Sequence, residues 1–295
     1  MENIANTIDT TTTKQDTGKF RKNTKDQFYT NVSIAISCIQ HIITKLPFIK
    51  DYVWVEPSAG NGSFFHNIPS TIEKIGLDLE PMADDIQQQD YLQWELPHSL
   101  KNKKIVVIGN PPFGRQSSLA KSFIVKSCEF ATIIAFILPK SFKKPSMFRV
   151  FDMKFHCIES IELEKNAFVI NGSPHDVPCV FQIWQKMDRN REMDVKVEPH
   201  GFTYVKPFGC GSVSLYHIAF RRVGGLAGKC YIPKRNEFNI QTHYFIRFDD
   251  NVVPYMNHII EKINSTIFPS NTVGPRSISK PEANAVINHI ITLMR

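Results

Sequence analysis

The sequence has no apolar stretch long enough to span a bilayer. Its longest candidate, Thr132 to Leu138, has the length of a buried strand. The first 25 residues are polar throughout and lack the charged-then-apolar order of a secretion signal. Six cysteines, at 38, 128, 157, 179, 210 and 230, form no C-x-x-C pair and no zinc-ligand spacing. That excludes a disulfide scaffold and a zinc ribbon, predicts buried reduced thiols, and leaves no metal site expected. Neither the G-x-G-x-x-G spacing of a dinucleotide fold nor the G-K-[ST] of a phosphate-binding loop occurs in the Gly-containing turn at 60–62. There is no internal repeat. These absences predict an intracellular protein that uses no membrane, cytoplasmic as the first expectation and nuclear as the second; a monomer is expected.

What is present is an ordinary globular composition, 42% hydrophobic and 21% charged, over 295 residues. A chain of this size can bury one substantial core plus a smaller appended unit. Lys and Arg (35) exceed Asp and Glu (28), giving a net charge of +7 that suits a polyanionic partner. Residues 1–24 hold a Thr run, scattered Lys and Arg and few apolar side chains, which predicts a disordered basic tail.

From about residue 25 to 190 strand-like and helix-like stretches alternate. Short β-branched runs fall at Tyr52–Val55, Ile75–Leu79, Ile105–Ile108, Ile133–Leu138, Cys157–Leu163 and Val180–Trp184. Helical spacing shows at Val32–Thr44 and Ser118–Phe130. This order predicts an α/β domain, a mostly parallel sheet with helices on both faces. Residues 191–295 change character, to aromatic and β-branched runs broken by Gly and Pro over 200–250, then helices at 254–264 and 281–294. That predicts a small β-rich extension.

The first buried run enters the turn Glu56-Pro57-Ser58-Ala59-Gly60-Asn61-Gly62 and then an expected helix. Gly60 and Gly62 allow close backbone approach to a ligand, and an acid at the strand end can hold an ammonium group. Asp78 ends the next strand, where a carboxylate can accept both hydroxyls of a ribose. Asp90, before Tyr91, ends the third and can accept from an adenine amino group. The fourth strand runs into Asn110-Pro111-Pro112-Phe113. The two prolines fix φ, so the Asn110 carboxamide oxygen and the Pro111 carbonyl can both accept from one amino group. Two acceptors draw a ring-conjugated nitrogen towards sp3 geometry, which frees its lone pair for attack on a sulfonium methyl. Phe113 offers a stacking face.

These motifs resemble the N6-adenine methyltransferases whose cofactor motif precedes the catalytic one, over about residues 25–187. The resemblance implies a Rossmann-like class I methyltransferase sheet of seven mostly parallel strands and S-adenosyl-L-methionine as cofactor. It implies that Glu56, Ser58, Gly60, Asn61 and Gly62 surround the methionine end, with Asp78 on the ribose and Asp90 with Tyr91 at the cofactor adenine. Asn110 to Phe113 match the catalytic element. The segment Asp26-Gln27-Phe28-Tyr29-Thr30 is similar to the family's N-terminal element, which puts Thr30 at the cofactor. Phe168, ahead of the last strand, matches in position the aromatic that sandwiches an extruded base. Phe113 stands where the DNA enzymes more usually have Tyr, and the same Asn-Pro-Pro-Phe spelling occurs in cap-adjacent RNA adenosine methyltransferases. DNA is the first expectation and RNA the second; a protein glutamine N5-methyltransferase, which shares the motif's chemistry, is the third. The partner expected is nucleic acid, contacted through the cation-and-aromatic mixture of 200–250, with Arg221, Arg222 and Lys229 as nominees.

Overall fold

The computed structural model describes residues 28–170, 172–192, 197–207, 216–233, 238–272 and 274–294. The basic tail, Asp26, Gln27, Phe208, Cys210, Lys234 and Arg235 lie outside the described residues. Two compact units result: one reaches Leu138 and includes Ile161–Trp184, and the other comprises Pro139–Ser160 with Gln185–Arg295. Residues 139–160 thus fall with the C-terminal unit.

The first unit opens with the short strand β1 (Tyr29–Thr30) and helix α1 (Val32–Lys45). Asn31 caps α1 by accepting from the Ser33 N–H, and Ala35, Cys38, Ile39 and Ile42 bury its inner face. The helix stops at Leu46 because Pro47 disfavours helical backbone in the residue before it. There follow β2 (Val53–Glu56), β3 (Lys74–Asp78), the two-residue β4 (Gln87–Gln88), β5 (Ile105–Gly109), helix α2 (Ser118–Cys128) and β6 (Ile133–Pro139). The remaining elements of this stretch are α3 (Pro145–Phe148), β7 (Phe155–Glu162), β8 (Phe168–Ile170), β9 (Ser173–His175) and β10 (Cys179–Lys186).

Seven strands form one sheet in the order β4-β3-β2-β5-β6-β10-β7. Pairings β4–β3, β3–β2, β2–β5 and β5–β6 are parallel. Every residue of β2, β5 and β6 is buried, as expected of parallel strands covered on both faces. Because these strands run the same way, Glu56, Asp78 and Asn110 all emerge at their carboxyl ends, the edge where open α/β sheets bind ligands. One local expectation needs correcting. The helix foreseen after the Gly60–Gly62 turn is a three-residue 3-10 turn, Phe65–Asn67, because Pro69 follows too soon for a helix to propagate.

A separate antiparallel sheet pairs β1 with β8 and β8 with β9, Thr30 lying opposite Phe168. The backbone turns into it through Asn166, whose φ is positive.

In the second unit β11 (Phe202–Tyr204), β12 (Ile218–Arg221), β13 (Cys230–Tyr231) and β14 (His243–Phe248) make an antiparallel sheet in the order β11-β14-β12-β13. Alternation sorts its faces: Ile218, Phe220, Ile246 and Phe248 join the core with helices α4 (Met256–Ser265) and α5 (Lys280–Thr292), while Ala219 and Phe245 pack with Tyr216 on the other. Helix α5 begins in a full capping box, Ser279 with Glu282. Within this unit the Arg191 guanidinium donates to the carbonyls of Phe148, Phe151, Asp152 and Phe155, which ties off the chain before β7.

Candidate active site

The carboxyl ends of β2, β3 and β5, the loop after β4 and strand β1 enclose a cavity of about 520 Å³, within the range of small-molecule sites. Every residue expected from the sequence at the cofactor or at the chemistry lines it, except Gly62. Four carboxylates, from Glu56, Asp78, Glu80 and Asp90, are in its wall, and no Lys or Arg is. In a chain of net charge +7 this is a local inversion of sign. Such a cavity suits a cationic ligand carrying hydroxyls and an apolar ring, and disfavours a phosphate.

Glu56 is the deepest of the four, 2% exposed. Burial pushes its carboxyl well above the ordinary carboxylate value and Asp78 adds to that, while the Phe65 backbone N–H and Lys74 oppose it. Its Oε2 is buried without a hydrogen-bond partner. A buried acceptor left unpaired is costly, so this atom is a place prepared for a donor. An ammonium group satisfies both the orphaned oxygen and the charge.

Asp78 is more heavily engaged than its sequence position implied. Its Oδ2 accepts the Gly60 N–H at 2.7 Å and its Oδ1 accepts the Glu80 N–H at 2.8 Å. It clamps the Gly60 turn, with lone pairs left for a ribose. Glu80, which the sequence reading passed over, also lines the cavity. Its only sequence signal was its position two residues past Asp78. Asp90 closes its own loop by accepting the Leu92 N–H at 2.9 Å. Tyr91 presents its ring alone, since its hydroxyl is 2.7 Å from Ser127 Oγ on α2.

Within the turn, Asn61 Oδ1 accepts from the Ser63 N–H and hydroxyl, and Ser58 Oγ donates to the Asn110 carbonyl, joining the β2 and β5 loops. Gly62 is placed differently from the expectation. It does not line this cavity, and a Cβ there would lie 2.3 Å from the His66 ring, so the turn requires glycine at this position. Thr30, 6% exposed, lines the cavity from β1.

At the chemistry, Asn110 Nδ2 donates to the Phe28 carbonyl at 2.9 Å. Only the amide nitrogen can make that bond, so the carboxamide is oriented and its oxygen faces the other way. That oxygen, Oδ1, is buried and has no hydrogen-bond partner. Pro111, Pro112 and Phe113 line the cavity beside it. The Phe28 ring lies against Phe113, centroids 6.2 Å apart and planes 26° from parallel, and stacks on His175 at 5.4 Å on another side.

Phe168 does not hold the place foreseen for it. It is 0% exposed and starts strand β8, touching Phe28 and Phe113 edge-on at 6.1 and 6.3 Å. With no open face it packs against that aromatic pair, and Phe28 and Phe113 are among the rings that line the cavity. Among the cations nominated in the extension, Lys229 donates to the Asn264 carbonyl and Arg221 Nε donates to the Val223 carbonyl at 3.0 Å. Both are engaged in folding the unit. Arg222 is not: its Nε is buried without a hydrogen-bond partner.

No family model matches the chain, and no curated protein matches it. Solved structures do. One, from Pyrococcus horikoshii and described as an RNA methyltransferase, is 15% identical with a TM-score of 0.43, covering 56% of this chain and 91% of that one. A class I S-adenosylmethionine-dependent methyltransferase of Listeria monocytogenes is 16% identical at TM-score 0.42, over 60% of this chain and 65% of that one. A modification subunit of a type I restriction enzyme of Vibrio vulnificus is 12% identical at 0.41, over 54% and 44%. The strand order is the deciding feature. It makes a seven-stranded, mostly parallel sheet, the Rossmann-like fold expected from the motifs. What the site does rests on its own residues.

Proposed function

We propose that this chain is an S-adenosylmethionine-dependent methyltransferase acting on the N6 amino group of adenine in a nucleic acid. The observation that carries the reading is the buried, unpartnered Asn110 Oδ1, oriented by Phe28 and set between two prolines and an aromatic ring. An acceptor so placed is made for an N–H donor on a flat, conjugated amine.

The residues fit the cofactor. Glu56 Oε2 suits its ammonium, Asp78 and Glu80 suit ribose hydroxyls, and Asp90 with the walls of Tyr91 and Leu92 suits its adenine. The sulfonium charge is favoured by four carboxylates and no competing cation. When bound, S-adenosylmethionine supplies an electrophilic methyl group. Asn110 holds one amino hydrogen and weakens the conjugation of the nitrogen lone pair with the ring, which is electrostatic preorganisation. A carboxamide takes no proton, so the amine's surplus proton leaves to water. Phe113, backed by Phe28, supplies a face for the base, which must be unpaired or flipped to reach it.

The test is transfer of labelled methyl to DNA and to RNA, followed by digestion and identification of the nucleoside. Label on N6-methyladenosine or its deoxy form supports the reading. Label on the protein fraction alone, or on cytosine, removes it.

A further inference from the structure

The second unit holds a cluster that the sequence did not bring together. Tyr204 on β11 and Tyr244 on β14 meet edge to face with centroids 5.4 Å apart. The Arg222 guanidinium lies 5.0 Å over the Tyr244 ring. The Lys280 ammonium lies 4.5 Å over Tyr204 and 6.0 Å over the same Tyr244 ring. Two like charges thus lie against one aromatic ring.

Among the described residues neither cation has an ion-pair partner. The carboxylate nearest in sequence, Glu282, is already committed. It accepts from the Ser279 N–H and hydroxyl at 2.7 Å and from Asn271 at 3.0 Å, and it pairs with Lys144 at 3.4 Å. Burial holds both tyrosine hydroxyls above their ordinary value, so neither ring turns into a phenolate counter-charge at neutral pH. The hydroxyls are also spoken for, Tyr204 donating to Asn284 Oδ1 and Tyr244 to the Ile278 carbonyl. What remains open is Arg222 Nε, buried and without a partner, and the exposed end of Lys280.

Like charges over one ring repel, and aromatic attraction offsets only part of that. An oxyanion relieves both costs, by separating the charges and by accepting from Arg222. The guanidinium fork and the ammonium point charge are the two side-chain types that hold phosphate. The ring faces are occupied by the cations, so a stacked base is not what this cluster takes.

We propose that Arg222 and Lys280 form a phosphate-holding site for the backbone of the nucleic acid that the enzyme methylates. The proposal rests on the reading of the substrate as a polynucleotide and adds where its backbone is gripped. Phosphate contacts of this kind fix position and carry no base preference.

The experiment uses the full chain and a labelled single-stranded oligonucleotide titrated over a range of salt. Wild type is measured first; if it neither binds nor methylates any polynucleotide, the functional reading fails. Given binding, Lys280→Gln and Arg222→Gln should each weaken affinity about tenfold and lower the salt slope by about 0.7, the loss of one phosphate contact on a single strand. Lys280→Arg should restore both affinity and slope. Calorimetry of S-adenosylhomocysteine binding should be unchanged in all three, which shows that the first unit is intact. Wild-type affinity and slope in Lys280→Gln and Arg222→Gln would overturn the site and leave the functional reading standing. Weakened binding that Lys280→Arg does not restore would overturn it as well, since the charge would then not be what acts.

Discussion

The cavity of the first unit and the cation cluster of the second have opposite charge arrangements. In the cavity four carboxylates face each other with no Lys or Arg in the wall. In the cluster two cations lie against one tyrosine ring with no ion-pair partner among the described residues. Each arrangement is unfavourable when empty, because like charges are held together, and each is relieved by a ligand of the opposite sign. The overall charge of +7 describes neither. It is the uncompensated groups, Glu56 Oε2 and Asn110 Oδ1 in one place and Arg222 Nε in the other, that separate sites from surface.

The comparison can be broken most forcefully at the aromatic floor of the cavity. Phe168→Ala should cost about 3–5 kcal/mol of stability, the usual effect of emptying a buried phenylalanine site, read by denaturant unfolding. Phe113→Ala should instead weaken binding of an unpaired target base by about 1–3 kcal/mol, because its ring lines the cavity. Should Phe168→Ala unfold like wild type and bind target poorly, the roles of the two rings are reversed. The next effect is chemical. Asn110→Ala removes the prepared acceptor, and single-turnover methyl transfer should slow at least about a hundredfold while cofactor affinity holds. Near-normal turnover would sink the mechanism.

Much of this architecture was legible because the parallel strands are contiguous apolar runs. The run at Ile105–Ile108 became β5 (Ile105–Gly109) and that at Ile133–Leu138 became β6 (Ile133–Pro139). The residues leaving those strands were legible too, since a loop motif such as Asn110 to Phe113 is local in sequence. What failed was long-range or short. Phe168 read as a loop residue because β8 and β9 are three residues each, too few to show alternation. The bond from Asn110 to Phe28 spans 82 positions, so nothing local announces it. Lys229 and Arg221 read as phosphate ligands because composition reports charge, while the carbonyls that engage them come from the folded turn and from Asn264. Lys280 was missed for the converse reason: its partners are on strands far along the chain.

A subtler effect sharpens the cavity side through pH. Burial raises the Glu56 carboxyl in the cofactor-free protein, so a bound ammonium must lower it again and cofactor binding releases a proton. Between those two values affinity should rise with pH, by up to about tenfold per unit, and level off above the raised value. The sign for stability is the opposite. A carboxyl whose folded value is raised stabilises the fold below its unfolded value, and that contribution is lost as pH rises through the folded one. The cofactor-free protein should therefore weaken at higher pH while cofactor affinity improves. Glu56→Gln should flatten both trends, and calorimetry in buffers of different ionisation enthalpy should find no proton released. A pH slope that survives the substitution would show that Glu56 is not its source.

The smallest expected effect tests the cation side. Lys229 is exposed and basic, as a phosphate ligand would be, yet its ammonium donates to the Asn264 carbonyl, and the Cys230 N–H donates to Asn264 Oδ1 at 2.7 Å. The pair fastens β13 to the end of α4. Lys229→Met keeps the aliphatic stem and removes only the donor, so it should cost about 0.5–1.5 kcal/mol of stability in denaturant unfolding. Its salt slope for nucleic acid should match wild type, because an ammonium fixed on the Asn264 carbonyl is not placed to take the position of a phosphate counterion. Lys280→Gln is the mirror image, with little change in unfolding and a lower slope. If Lys229→Met lowers the slope as Lys280→Gln does, the unpartnered and the engaged cations are equivalent to the nucleic acid. Binding would then follow net charge alone, and the contrast between a built site and a charged surface in this unit would be lost.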